Sequence, residues 1–326
     1  MARTGRFVGC FVGSVIGDAL GAHFEGSWET PTLDVVQKHT RHYLERRHPQ
    51  LPYTDDTAMA KVVAESLIRC KDFDASDMAR RFCDEYYGDK GRGYGFNVVT
   101  VFERWKLGSA EERPFEPAKL QFGGEGSEGN GAAMRIAPIA IFAYNDWKKA
   151  AEIASGCARL THSHPNGITG ALLQCRAVFQ ALHANQDESQ FANAFIDDLK
   201  KHVVQESPGS VYDEKLENAR KLLHQNAPPS AGDVADNLGN GVRAKNSVVT
   251  AIYAFLHACK WSMNFRDMIE FAISIGGDTD TIACMAGAIG GGFWGIEKIP
   301  KMWQENVEAV DIVSEMAEQL SDMRST

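Results

Sequence analysis

"DDTAMAKVVAESLIRC", residues 55–70, decides the fold class. Met59, Val62, Val63, Ser66 and Leu67 recur at spacings of three and four and share one helical face. A half-buried strand would alternate strictly, and this run does not. The pattern repeats along the chain. "DASDMARRFCDEYY" (74–87) puts Met78, Phe82 and Tyr86 on one face, with Ser76 as the expected cap. "GITGALLQCRAVFQALHA" (167–184), "SVVTAIYAFLHACK" (247–260) and "FRDMIEFAISI" (265–275) read as amphipathic or buried helices. Period-two runs bounded by turns are missing, so an all-α fold is expected.

The chain has 326 residues, enough for one large domain or two ordinary ones. Its most loop-like stretch, "HQNAPPSAGD" (224–233), is short and lies between helical patterns. One compact multi-helix domain over 1–326 is therefore expected. Hydrophobic residues are 44% and charged residues 24%, ordinary for a soluble globular protein. A net charge of −9 makes the chain a poor general partner for nucleic acid. The cysteines at 10, 70, 83, 157, 175, 259 and 284 are odd in number and form no CxxC pair. They read as buried free thiols in a reducing compartment. No apolar run reaches the roughly 18 residues of a membrane span. "FVGCFVGSVIGDALGAHF" (7–24) comes closest, and Asp18 interrupts it; "MARTGR" is too short for a cleavable targeting segment. A cytoplasmic or nuclear monomer with no membrane partner is the expectation. Gly9, Gly13, Gly17 and Gly21 form a stripe on the first helix. Each costs about 1 kcal/mol against Ala, so the stripe implies close approach of another helix.

Asp55 and Asp56 have an echo near the other end of the chain, Asp278 and Asp280 in "SIGGDTDTIACMAG" (274–287). Singly, each cluster reads as a helix start: Thr54 or Asp55 caps one, and Asp278 caps the other after a Gly276–Gly277 turn. Together they supply four carboxylates and several hydroxyls in small, apolar surroundings. Burying carboxylates uncompensated is costly, and adjacent ones raise each other's pKa. A hard divalent cation resolves both problems, and without Cys or His in either cluster Mg²⁺ is favoured over zinc. Four aspartates balance two such ions. Their charge outweighs the half-charge of each helix dipole. "DTDT" lies too near the end for the phosphate-transferring DxDxT motif, with about 45 residues after it. "DDTAM" lacks the last acid of DDxxD, and the EF-hand spacing is absent.

"FGGEGSEGNGAAMRIAPIAIF" (122–142) opens with five glycines in ten residues and continues as a helical run. It reads as an anion-binding loop at a helix start or as a flexible turn. "DKGRGYGFN" (89–97) is a second, weaker glycine loop. His162 in "LTHSHPNG" meets a ligand or is structural.

"IGDALGAHFEG", "YTDDTAMA", "GEGSEGNGAAMRIAP", "LTHSHPNGITGALLQ" and "IGGDTDTIACMAGAIGG", in this order, resemble the ADP-ribosylglycohydrolase family over nearly the whole chain. The threonines flanking the acids resemble its serine-directed branch; the arginine-directed branch more typically shows a serine before its DD pair and "DSDS" late in the chain. The resemblance implies an all-α hydrolase with a dinuclear magnesium site. It implies ADP-ribosylated proteins, poly(ADP-ribose) and O-acetyl-ADP-ribose as substrates. Its metal ligands would be Thr54, Asp55, Asp56, Asp278, Asp280 and Thr281, with Glu25 on a mobile flap. Glu25 and Asp278 would be the carboxylates at the reacting centre, and Asp55 would also face the substrate. The loop Glu125, Gly126, Ser127, Glu128, Gly129, Asn130, Gly131 would wrap the diphosphate. Gly93 and Gly95 would line the same side, Phe122 would stack on adenine, His162 would contact the ligand, and Val242 would line it. Two positions depart from the pattern: Glu128 stands where tyrosine is common, and Asn97 where a third glycine is expected. A non-catalytic descendant would have lost acidic ligands; here all are present.

Overall fold

The computed structural model describes residues 2–27, 29–45, 50–184, 191–205 and 210–323. Its helices of eight or more residues are α1 (Ala2–Gly21), α2 (Leu33–Glu45), α3 (Asp55–Cys70), α4 (Ala75–Gly88), α5 (Phe96–Arg104), α6 (Trp147–Arg159), α7 (Pro165–His183), α8 (Phe191–Leu199), α9 (Val211–Leu223), α10 (Ala231–Leu238), α11 (Val248–Lys260), α12 (Phe265–Ser274), α13 (Thr279–Trp294) and α14 (Val310–Asp322). No strand occurs among the described residues; two isolated bridges pair Leu51 with Val307 and Gly129 with Arg243. The fold is all-α.

The opening stretch is α3. Thr54 caps it by accepting the Asp56 N–H at 3.3 Å, and Met59, Val62, Val63, Ser66 and Leu67 are buried. The cap of α4 is Asp74 and not Ser76. Asp74 accepts the N–H groups of Ser76 and Asp77, at 3.0 and 2.9 Å, while the Ser76 hydroxyl donates to Glu111. A carboxylate just ahead of the helix satisfies two free donors at once, which a serine inside the first turn cannot do.

The glycine stripe explains the centre of the molecule. α1 and α13 run antiparallel, with Gly9 against Gly291, Gly13 against Gly287 and Gly17 against Ala283. Their backbones touch, and a Cβ at Gly17 would overlap the Ala283 carbonyl. Side chains at these four positions would hold the helices apart. No described helix is long and apolar enough to cross a membrane. From Thr279 to Phe293 every residue of α13 is buried. α7, α11 and α12 cover its remaining sides. The buried apolar residues form one contiguous core. All seven cysteines are free; Cys70 and Cys259 are half-buried and the rest buried.

Candidate active site

Both acidic clusters start a helix, and α1 pins both starts. The Asp18 carboxylate, fully buried, accepts the N–H groups of Thr54 and Thr57 at 3.1 Å. It also accepts the hydroxyls of Thr54 (2.8 Å) and Thr57 (2.5 Å). This fixes the first turn of α3. The last residue of α1 does the same for α13: the Thr279 hydroxyl donates to the Gly21 carbonyl at 2.9 Å. Before α13 the chain turns through Gly276 and Gly277, at φ +75° and +74°, a region that favours glycine. Asp278 occupies the cap position of α13, yet its side chain caps nothing. Its carboxylate instead accepts the Asn130 amide at 2.5 Å and lines the cavity, which corrects the capping expectation. The Thr281 hydroxyl donates to Asp56 at 3.3 Å and joins the clusters.

One oxygen each from Glu25, Asp278 and Asp280 lies within 4.8 Å of the others. The second oxygen of Asp56 is buried without a hydrogen-bond partner. Burial pushes the Asp55 carboxyl up to about 8, with Asp18 and Glu25 adding to it. Burial and then Asp278 push Asp280 up to about 10. Asp56 is raised well above the carboxylate range by burial and then Asp280, and Glu25 is raised by burial and then Asp278. Crowded acids with no counter-charge behave this way. An all-oxygen donor set with an orphaned buried oxygen fits a hard divalent cation. Glu25, Asp278 and Asp280 are close enough together to share such an ion, and Asp55, Asp56 and Thr281 line the same cavity.

These residues form one end of a cavity of about 530 Å³, within the usual range for small-molecule sites. Gly93, Gly95, Phe122, Glu125, Gly126, Ser127, Glu128, Gly129, Asn130, Gly131, His162 and Val242 line the rest. Thr54 alone of the anticipated residues is not in the lining. Its hydroxyl is held between Asp18, to which it donates, and the Asp56 N–H, which it accepts.

The glycine loop does not open a long helix as its sequence suggested. A three-residue 3₁₀ turn, Asn130–Ala132, follows it, and the next helix is the short Ala137–Phe142. Bonds to remote backbone fix the loop instead: Asn130 N–H to Val242 (2.9 Å) and Ala244 N–H to Glu128 (2.9 Å). Arg135, fully buried, donates to the carbonyls of Gly131 (3.2 Å) and Cys157 (2.7 Å). His162 lies against Gly129 and Gly131 and shares a 2.7 Å hydrogen bond with Thr161. Burial, then the Arg135 charge, pushes its pKa down to about 3, so the imidazole is neutral. Phe122 sits at φ +52°, ψ +44°, a left-handed conformation that costs a bulky residue roughly 1–3 kcal/mol. Glu128 pairs with Arg243 and Lys245, each at 3.2 Å, and accepts the Asn166 amide. Asn97 uses its carbonyl to accept the Gln121 amide at 2.8 Å, tying the second glycine loop to the first.

Two residues that organise the site were not anticipated in these roles. Asp18 and Arg135 each stand as a lone charge in an apolar stretch, "VIGDALG" and "AAMRIAP", and that is their only signal.

A sequence profile of the ADP-ribosylglycohydrolase family matches residues 1–326. Curated relatives named "ADP-ribosylhydrolase ARH3" align over nearly the full length. The human protein is 38% identical, covering 97% of this chain and 92% of its own. The zebrafish (Danio rerio) protein is also 38% identical, covering 98% and 90%. An "ADP-ribosylarginine hydrolase Tri1" from Pseudomonas putida is 24% identical over 97% of this chain and 78% of its own. Among solved structures, an "ADP-ribosylglycohydrolase-related protein complex" chain superposes with a TM-score of 0.66, 23% identity and 98% coverage of both chains, a likeness of fold. With the acidic helix starts, the glycine loop and this full-length similarity in hand, the chain belongs to the ADP-ribosylglycohydrolase family.

Proposed function

We propose that the protein is a Mg²⁺-dependent ADP-ribosylhydrolase that frees serine side chains of ADP-ribose and also cleaves poly(ADP-ribose) and O-acetyl-ADP-ribose. A buried acidic end and a glycine loop in one cavity carry this conclusion. The relatives named ARH3 support the ADP-ribose chemistry. The threonines of "YTDDTAMA" and "GGDTDT" support serine over arginine as the acceptor.

Glu25, Thr54, Asp55, Asp56, Asp278, Asp280 and Thr281 would hold two Mg²⁺ ions, Thr54 through the lone pair that its two bonds leave free. Bound there, the ions supply Lewis acidity toward the ribose hydroxyls and a water. The remaining work falls to the chain. In the glycine loop the N–H groups of Glu125, Gly126, Gly129 and Asn130 are already bonded within the protein, which leaves those of Ser127 and Glu128 to take up the diphosphate. Neutral His162 contacts the ligand without adding charge. Glycosidic cleavage passes through an oxocarbenium-like state, which the Glu25 and Asp278 carboxylates stabilise. Glu25 reaches solvent, yet partial burial and Asp278 raise its carboxyl. Poly(ADP-ribose) and O-acetyl-ADP-ribose follow because the cavity reads the ADP-ribose half. The partners are then ADP-ribosylated proteins of the cytoplasm and nucleus.

Release of ADP-ribose from serine-linked and arginine-linked peptides, with and without Mg²⁺, tests this. Mg²⁺-dependent release from serine alone is expected, with Asp55→Ala and Asp278→Ala slower by about 100-fold or more. Preference for arginine would move the protein to the other branch. Binding of ADP-ribose without turnover would make it a non-catalytic member.

A further inference from the structure

The mouth of the cavity carries aromatic surface that the fold does not use. Phe96 is 81% exposed and Phe122 54%, and both line the cavity. They are the two aromatic side chains among the exposed large hydrophobic residues described. A lone exposed Phe needs no explanation. Two in one cavity, on backbones held in register, do. The Gln121 amide donates to the Asn97 carbonyl at 2.8 Å, so the residues adjoining the two rings are joined directly. Phe96 is the first residue of α5, and Phe122 holds the left-handed conformation described above. Such a backbone outlier persists where the position of its side chain matters. Among the described residues neither ring stacks on another aromatic ring. Glu128, across the glycine loop, offers no flat face, and its carboxylate is committed to Arg243, Lys245 and Asn166.

We propose that Phe96 and Phe122 form a two-sided clamp for a purine ring, Phe96 giving the face that Glu128 does not. This deepens the functional reading above and rests on it. Charged and hydroxylated parts of the ligand have the acidic end and the glycine loop. A flat, neutral heteroaromatic ring suits the apolar mouth, where Val242 is also exposed. Stacking between rings gains from the π-faces beyond area alone.

The test is calorimetric titration, in Mg²⁺, of wild type, Phe96→Ala, Phe96→Trp and Phe122→Ala. The probes are ADP-ribose and ribose 5-phosphate, which lacks the base and is measured by competition. Phe96→Ala and Phe122→Ala should each raise the Kd for ADP-ribose about tenfold. Phe96→Trp should stay within about threefold of wild type, because its ring still stacks. The Kd for ribose 5-phosphate should be the same in all four, and so should the melting temperature. Wild-type affinity for ADP-ribose in Phe96→Ala overturns the clamp, as does an equal loss for ribose 5-phosphate. Failure of wild type itself to bind ADP-ribose overturns the functional reading beneath it.

Discussion

Gly21→Ala puts one methyl group where α1 ends and α13 begins. The new Cβ would stand 2.5 Å from the Thr279 oxygen, 2.6 Å from the Asp280 Cα and 2.7 Å from the Asp280 nitrogen. Ordinary contact begins at 3.4 Å, so the two segments must part by about 0.9 Å. All three obstructing atoms are backbone and cannot rotate aside. Overpacking of this kind costs about 1–3 kcal/mol. The better helix propensity of Ala offsets at most about 1 kcal/mol. A net loss of roughly 1–2 kcal/mol lowers the melting temperature by a few degrees. The larger effect falls on the site, because the displaced residues include Asp278 and Asp280, and such constellations tolerate only about 0.5 Å. Mg²⁺ affinity, read as the Mg²⁺-induced rise in melting temperature, should fall about tenfold, and ADP-ribose release at least as far. Gly5→Ala, one turn before the stripe on α1, is the control. Its nearest neighbour is the Glu297 carboxylate, 2.7 Å away and free to swing. That variant should keep full activity and stay within about 0.5 kcal/mol of wild type. If Gly21→Ala binds Mg²⁺ and releases ADP-ribose within twofold of wild type, the account of the glycine stripe as a positioning device is wrong.

Asp18→Ala strips the acceptor from two buried N–H groups and two hydroxyls. A loss of at least about 3 kcal/mol in denaturant unfolding is expected, together with loss of Mg²⁺-dependent turnover; an unchanged midpoint would show that α3 is not held from α1. The raised carboxyls predict a pH dependence of metal binding. With Asp55 at about 8 and Asp280 at about 10 in the folded state, against 3.8 ordinarily, the metal-free protein holds more protons folded than unfolded. Their contribution to stability therefore falls as pH rises through that window. A cation displaces those protons, so the gain in melting temperature from Mg²⁺ over chelator should be larger at pH 8 than at pH 6. An equal gain at both would mean that these acids are not what the ion meets.

What could be read from residues alone was what depends on near neighbours. The period of α3 announces a helix because each of its contacts lies three or four residues away. The glycine stripe announces a close partner for the same reason, although nothing in it says that the partner is α13. The acids of Asp55–Asp56 and Asp278–Asp280 could be joined only by comparing their chemistry. The illegible parts depend on distant atoms. Asp18 looks like an interruption of an apolar helix until Thr54 and Thr57 come to it from 36 and 39 residues away. Asp278 looks like a cap until Asn130, 148 residues earlier, takes its carboxylate. The glycine loop looks like the start of a helix, but its shape is set by Val242 and Arg135. Thr54 reads as a cap from its neighbours alone and is one, but its second bond, to Asp18, could not be foreseen.

The pairing of α1 with α13 also sets an order of events during synthesis. Gly21 and Thr279 are 258 residues apart, so the first helix leaves the ribosome long before its partner exists. At about 5–20 residues per second the wait lasts roughly 13–50 seconds. Through that interval the glycine face has no native surface to meet. A chain that stopped short of residue 279 would therefore keep its central groove open and be prone to aggregate.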